Sequence, residues 1–153
     1  MLIWINQIWE FMMKKLLIAI LATVMTQQAM AVNWLQVDET SAGDKFYIDL
    51  DSLQADTLAN GTPVMTAWTQ IEFKQAQDLG GGKKFWTTRN FYYFDCRARK
   101  SATEYGAAYD KQGGVVDSGN SPYFSRYSSA NWDRAIPGTS EEYLLNTVCA
   151  YAN

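Results

Sequence analysis

In the middle of the chain, apolar and polar side chains alternate with a period of two in several short segments. In residues 64–74, for example, Met65, Ala67 and Phe73 fall on one side of the chain. This alternation is typical of strands with one buried face, and turn-forming sequences such as Asn60-Gly61 separate the segments. The pattern predicts strands at residues 34–37, 44–50, 64–74, 85–96, 101–109 and 115–118.

The pattern changes to that of a helix after the break at Pro137-Gly138. Thr139 and, three residues later, Glu142 form a capping box at the predicted helix start. One face of this helix is apolar and contains Leu144, Leu145, Val148 and Cys149. Before it, residues 120–129 have no period and predict a loop, and a short extended piece is expected at 132–136. We therefore expect an α+β fold, in which a C-terminal helix follows a series of strands.

The first 31 residues have the organisation of a bacterial export signal. Two lysines precede an apolar run at 16–25, and Ala29-Met30-Ala31 is a small-residue cleavage site. A membrane-spanning helix is the alternative, but it needs about 20 apolar residues, and polar residues at 26–28 end this run early. We expect a cleaved signal peptide, so that the folded domain comprises residues 32–153.

Residues 1–11 lie upstream of this signal and mix apolar with polar residues. Translation is therefore expected to start at Met12 or Met13. No cysteine lies near the expected cleavage site, which predicts a protein without a lipid anchor. We expect the protein to be exported, and to be periplasmic, secreted or at the cell surface without being a lipoprotein.

The charge of the chain argues against nucleic acid as a partner. The signal removes one acidic and two basic residues from the 16 acidic and 13 basic residues of the chain, which leaves a net charge of minus four. Binding to nucleic acid relies on clustered Lys and Arg. The one basic cluster, Arg97, Arg99 and Lys100, is expected to form a solvated turn after a strand, with a patch for an acidic glycan or phospholipid headgroup as the alternative.

Two cysteines, Cys96 and Cys149, lie in a chain that is expected to reach an oxidising compartment. One intramolecular disulfide is the simplest expectation, and it would tie the end of a strand to the C-terminal helix. A redox-active thiol pair is the alternative, but such cysteines are usually close in sequence. The expected disulfide would stabilise the fold by about 4 kcal/mol in the chain-entropy treatment.

The absence of histidine removes most catalytic options. No imidazole can activate a serine or cysteine nucleophile, and no histidine can bind a metal. Asp49 and Asp51 are the nearest approach to a carboxylate pair, because residues two apart on a strand share a face. We expect them instead to form a solvated strand face that leads into a turn capped by Ser52. No enzymatic activity, cofactor or metal is predicted.

Aromatic residues are the positive signal for binding. Large amphipathic rings supply contact area in interfaces, although most of them must form the core of a small sheet domain. The aperiodic loop is the exception, because it carries Tyr123, Phe124, Arg126 and Tyr127. These residues make it a candidate partner-binding loop, set against the more ordinary expectation of a loop that packs on its own sheet.

Several short motifs resemble the surface-adhesin protein E family and together span nearly the whole mature chain. They are Trp34, the segment 47–53, Trp68, Asp95-Cys96, Tyr109-Asp110 with Gly113, Trp132, Ile136-Pro137 and Val148-Cys149. The resemblance implies an antiparallel sheet of about six strands with a helix packed on it, and a bridge between Cys96 and Cys149. It also implies a bacterial cell-surface protein that binds host extracellular-matrix or serum proteins.

Two functional hypotheses follow. The first is a non-enzymatic binding module that recognises a host matrix or serum protein, or an envelope protein, through an exposed sheet face or the loop from Tyr123 to Tyr127. The second is a periplasmic structural or envelope accessory protein without a host ligand. Such a protein could work as a homodimer, because the edge strands of an open sheet invite pairing.

Overall fold

The computed structural model describes residues 32–152, and strands form most of this part of the chain. The predicted signal peptide, its cleavage after Ala31 and the start at Met12 or Met13 concern residues outside the described part. Within residues 32–152, no helix is long and apolar enough to cross a membrane.

One antiparallel sheet contains all the strands of residues 32–152. In chain order they are β1 (Trp34–Glu39), β2 (Lys45–Asp49), β3 (Gln54–Thr57), β4 (Pro63–Asp78), β5 (Lys84–Asp95), β6 (Lys100–Tyr109), β7 (Val115–Asn120) and β8 (Asp133–Arg134). The main path of the sheet is β1-β2-β4-β5-β6-β7, while β3 pairs with β4 and β8 pairs with β6. The predicted antiparallel sheet is confirmed, and two short strands extend its six-stranded path.

The predicted and observed strands differ mainly at two places. β3 was not predicted, because Gln54–Thr57 has no alternation of apolar and polar residues, and only its pairing with β4 makes it a strand. β2 ends at Asp49 rather than at Leu50, since Leu50–Ser52 forms a turn of 3-10 helix. The other strands lie where the sequence predicted them, with ends that shift by at most four residues.

A single α-helix, α1 (Ser140–Ala150), is described in residues 32–152 and follows the sheet as predicted. Thr139 is its N-cap, and the Thr139 side chain accepts a hydrogen bond of 3.4 Å from the backbone N–H of Glu142. The Glu142 carboxylate in turn accepts a hydrogen bond of 2.8 Å from the backbone N–H of Gly138. The first bond satisfies a donor that the helix start leaves without a partner, and the second ties the residue before the cap to the first turn.

The apolar side of α1 forms the main core with one face of the sheet. Leu145 and Val148 are 1% and 0% exposed, and they pack among residues that include Ile48 and Phe94. Burial of aliphatic side chains of this size contributes roughly 1.5–3 kcal/mol each. The helix therefore closes one side of the sheet.

The predicted disulfide between Cys96 and Cys149 is confirmed. Cys96 directly follows β5, Cys149 lies on α1, and their Cα atoms are 5.6 Å apart. Both cysteines are partly buried against the main core. The bond therefore joins the helix to the sheet at the edge of the core that both elements build.

Candidate functional site

The sheet face opposite α1 is the candidate site, and we call it the open face. Alternation along β4 turns Met65 and Ala67 towards the helix side and Trp68 and Gln70 to the opposite side. Cross-strand register then determines which residues of the neighbouring strands share that side. The open face includes Trp34, Lys45, Tyr47, Asp49, Trp68, Gln70, Glu72, Arg89, Phe91, Tyr93, Tyr105 and Tyr109.

Aromatic rings run across the open face in a continuous row. The ring centroid of Trp68 lies 5.4 Å from that of Phe91 and 6.1 Å from that of Tyr105. Phe91 continues the row to Tyr93, at 5.6 Å. These separations are those of tilted and edge-to-face aromatic pairs, which stabilise each other beyond the area they bury. Trp68, Phe91 and Tyr105 are nevertheless only partly buried, so each keeps some ring surface accessible.

Arg89 lies beside this row, between two further aromatic rings. Its guanidinium carbon is 5.0 Å from the ring centroid of Tyr109 and 5.7 Å from that of Trp34. The Nε atom donates a hydrogen bond of 2.8 Å to Oε1 of Gln70 on the neighbouring strand. Attraction between a cation and aromatic faces and this hydrogen bond together hold the side chain in one place on an accessible surface.

A hydrogen-bonded chain of polar groups continues from Gln70. Gln70 Nε2 donates to Oε1 of Glu72 over 2.9 Å, and the Tyr47 hydroxyl donates to Oε2 of Glu72 over 3.1 Å. Burial and then the hydrogen bond to Glu72 raise the pKa of Tyr47 above its usual value. The phenol therefore remains a donor at neutral pH, and the carboxylate of Glu72 is held by both neighbours.

The predicted partner-binding loop borders one end of the open face, and its residues divide into two groups. Tyr123 and Tyr127 are 93% and 70% exposed. Phe124, in contrast, packs with its ring 4.8 Å from Tyr93 and 6.0 Å from Trp132, so that the aromatic row continues into the loop. Phe124 thus packs on the sheet, as one of the two alternatives predicted, while partner binding through the exposed tyrosines stays a prediction.

Arg126 also connects this loop to the sheet, through a contact with β3. Its Nη2 atom lies 2.6 Å from Oδ2 of Asp56 on β3, and its guanidinium carbon is 5.6 Å from the ring centroid of Tyr93. The ion pair is largely exposed, so its own contribution to stability is small. Its main effect is to fix the position of the loop relative to β3.

Two backbone hydrogen bonds complete the attachment of the loop. The carbonyl of Arg126 accepts from the N–H of Ala59 over 2.9 Å, and the carbonyl of Tyr127 accepts from the N–H of Asn60 over 3.0 Å. Both donors belong to the connection between β3 and β4. The exposed side chains of Tyr123 and Tyr127 are therefore carried by a backbone that is held in place.

Trp132 forms the inner wall of the loop and is 6% exposed. Its indole Nε1 has no hydrogen-bond partner in the described part of the chain. A buried donor without a partner costs about 1–3 kcal/mol. The contacts of the Trp132 ring with Phe124 and Tyr93 must offset that cost, so aromatic packing holds Trp132 in its buried position.

The carboxylate pair considered from the sequence does not form a site. Asp51 belongs to the 3-10 turn rather than to β2, so it does not share a strand face with Asp49. Asp49 instead caps the turn, because its Oδ1 accepts from the N–H of Asp51 over 3.1 Å. The Ser52 hydroxyl donates to the carbonyl of Asp49 over 2.7 Å, which agrees with the predicted capped turn. Residues 32–152 contain no group of three potential metal ligands.

Of the basic cluster after β5, Arg97 and Arg99 lie in a turn, as predicted, and Lys100 begins β6. Arg99 pairs with Glu142 of α1 over 2.6 Å, and Lys100 Nζ donates to the carbonyl of Ala130 over 2.5 Å. Two of the three cations are therefore used in contacts within the protein. The third cation, Arg97, is exposed. A single cation does not form a patch for an acidic glycan or a phospholipid headgroup.

The contact of Arg89 with Trp34 and Tyr109 was not predicted from the sequence. The three residues lie on β5, β1 and β6, and only the register of the sheet brings them together. One signal was available, because the period of two in the strand at 85–96 puts Arg89 on the same side as Phe91. A cation that shares a strand face with aromatic residues was a reason to consider that face.

Comparison with known proteins adds a family to this geometry. The profile of a family described as Surface-adhesin protein E matches residues 34–150. No curated protein and no solved structure gave a match. A family match over most of the chain indicates an adhesin-like protein that is exported or at the surface and that binds a protein partner.

Proposed function

The chain belongs to the surface-adhesin protein E family, and we propose that it binds an extracellular-matrix or serum protein of a host without catalysing a reaction. The open face and the exposed tyrosines of the loop form the proposed contact surface. The proposal includes export by a cleaved signal, a mature chain of residues 32–153 and the absence of a lipid anchor, all of which rest on the sequence pattern.

The observation that carries the proposal is the continuity of the aromatic row with the anchored loop. Interfaces owe most of their binding energy to a few residues, among which Trp, Tyr and Arg are enriched. Here these residue types lie on strands and on a loop held by Arg126, so that little order must be gained on binding. Such preorganisation lowers the free-energy cost of association.

The test compares two pairs of exposed tyrosines. One variant carries Tyr123→Ala and Tyr127→Ala in the loop, and its matched control carries Tyr143→Ala and Tyr151→Ala, which are exposed on and just after α1. The full chain is expressed in bacteria, the exported, disulfide-bonded product is purified, and its binding to immobilised basement-membrane extract and to plasma proteins is measured by biolayer interferometry.

We expect the loop variant to bind at least about tenfold more weakly, which corresponds to about 1.4 kcal/mol, whereas the control binds as the wild type does. Both variants should unfold at the wild-type temperature, because none of the four side chains is buried. Absence of wild-type binding to every fraction would contradict the proposed function. Equal losses in the two variants would contradict the proposed location.

A periplasmic accessory role as a homodimer is the second candidate. The observation in its favour is β7, an edge strand that is exposed at all but one position. Protease treatment of intact cells separates the two candidates. Cleavage of the protein on intact cells supports the adhesin, whereas protection there and cleavage after the outer membrane is opened supports the periplasmic role.

A further inference from the structure

Arg89 differs from the other arginines that contact aromatic rings or the helix. Arg99 pairs with Glu142 and Arg126 pairs with Asp56, but no carboxylate of residues 32–152 forms a salt bridge with Arg89. The nearest acid along the polar chain, Glu72, already accepts hydrogen bonds from its two neighbours. Arg89 is thus a cation that is fixed in position and without a counter-ion in this part of the chain.

The contacts of Arg89 determine which part of its guanidinium is available. Rings on β1 and β6 lie within 5.7 Å of the guanidinium carbon, and Nε is used by Gln70. Neither Nη1 nor Nη2 makes a hydrogen bond to another described residue, and the side chain is exposed. These Nη atoms are the donors with which arginine binds a carboxylate in a planar, bidentate arrangement.

The charges around Arg89 favour an anion with a single charge. Glu72 lies on the same face opposite Lys45, and Asp49 lies directly opposite Trp34. The mature chain also has a net charge of minus four, counted from residue 32. A phosphate group or a polysulfated chain would meet repulsion from these acids and from the net negative charge, whereas one carboxylate balances the charge of Arg89.

We propose that Arg89 receives a carboxylate of the protein partner, from an Asp or Glu side chain or from a chain end, while an adjoining apolar group of the partner contacts Trp68 and Phe91. This inference rests on the proposed function and adds the chemistry of the contact. The partner segment must present an acid next to an apolar or aromatic side chain, which matches a cation beside an aromatic row.

A small-molecule probe tests the site without any host protein. The probe is 4-phenylbutyrate, which carries a ring and a carboxylate, and its control is the neutral 4-phenylbutyramide. Binding is followed by NMR at the Arg89 Nε–H and at the indole N–H groups of Trp34 and Trp68. We expect saturable shifts with the acid and at least about threefold smaller shifts with the amide. Equal shifts with both compounds, or none with the acid, would overturn the proposal.

Substitutions at Arg89 provide the second test. Arg89→Gln removes the charge, Arg89→Lys keeps the charge without the planar fork, and Arg134→Gln removes an exposed cation of β8 as the control. With the matrix or plasma fraction that the wild type binds, we expect at least a tenfold loss for Arg89→Gln, a smaller loss for Arg89→Lys and none for the control. Thermal unfolding shows whether each variant is folded. If Arg89→Gln does not fold, Arg89→Lys still tests the proposal.

The two tests separate the inference from the proposed function. If the wild type binds a host fraction and Arg89→Gln and Arg89→Lys bind it equally well, the carboxylate site is wrong and the proposed function stands. If no host fraction binds but 4-phenylbutyrate shifts the Arg89 signal, the proposed function is wrong and the carboxylate site stands.

Discussion

The two faces of the sheet are built from different side chains and serve different ends. On the covered face, Ile48 and Phe94 are buried beneath aliphatic side chains of α1, which include Val148. On the open face, aromatic rings pack edge to face against one another and remain partly exposed around Arg89. Water is excluded from the first face by the fold itself. On the second face, the rings of Trp68, Phe91 and Tyr105 stay partly exposed, and we propose that a partner covers them.

This difference shows how a small domain can provide stability and a binding surface with one sheet. Aliphatic side chains stabilise only when another element covers them, and α1 with its disulfide supplies that cover. Aromatic rings bury part of their surface against each other and keep the rest available. The covered face should therefore dominate the free energy of unfolding, and the open face should dominate binding.

The largest expected effect concerns stability and tests how the disulfide holds α1 on the covered face. Replacing both cysteines, Cys96→Ser with Cys149→Ser, should lower the free energy of unfolding by about 4 kcal/mol. The disulfide joins residues 53 positions apart, and without it the unfolded chain gains conformational entropy. Urea unfolding at equilibrium measures the loss, and the wild type in excess reductant should behave as the variant does. A loss below about 1 kcal/mol would mean that helix packing alone holds α1 on the sheet.

The second effect tests the border between the open face and the loop. Phe124→Ala should lower the free energy of unfolding by about 2 kcal/mol, since the ring packs on Tyr93 and Trp132 but is not fully buried. Tyr123→Ala is the matched control, and its effect should stay within about 0.5 kcal/mol because the ring is 93% exposed. Similar values for the two variants would remove the distinction between packed and exposed loop residues.

The smallest effect compares two successive tyrosines that point to opposite faces. Burial is the main cause that raises the pKa of Tyr92 on the covered face and of Tyr93 on the open face above 10.0. The stability that each contributes is complete below the unfolded pKa and is lost as the pH rises through the raised folded pKa. The free energy of unfolding should therefore fall above about pH 10.

Tyr92→Phe removes one of these ionisable groups and keeps the ring. Urea unfolding at about pH 8 and about pH 10.5 should show a smaller alkaline loss in this variant than in the wild type. Equal losses would mean that Tyr92 ionises as readily in the folded state as in the unfolded state, contrary to its burial.

Much of this fold follows from the sequence, because period-two alternation and a capping box are local signals. Gln54–Thr57 shows the limit, since its residues carry no alternation and become a strand only by pairing with β4. The two-residue strand β8 has the same origin, because its pairing with β6 defines it within a segment predicted only as extended.

The candidate site was less predictable, and two places show why. The sequence indicated the aromatic loop, but a segment without a period does not show which side chains face the sheet. It therefore could not separate the packed Phe124 from the exposed Tyr123. The surroundings of Arg89 depend on Trp34 and Tyr109, which come from distant parts of the chain and meet only through strand order. Contacts of this kind require the register, which a single sequence does not supply.

The two backbone hydrogen bonds from Ala59 and Asn60 to the loop have a consequence for how the protein can change. They hold the loop through main-chain atoms, so the identities of the side chains at 123 and 127 do not enter its attachment. Mutation at these two positions should therefore leave the stability of the fold unchanged. Under the proposed function, a library randomised at both positions could be selected for new binding specificities without loss of the fold.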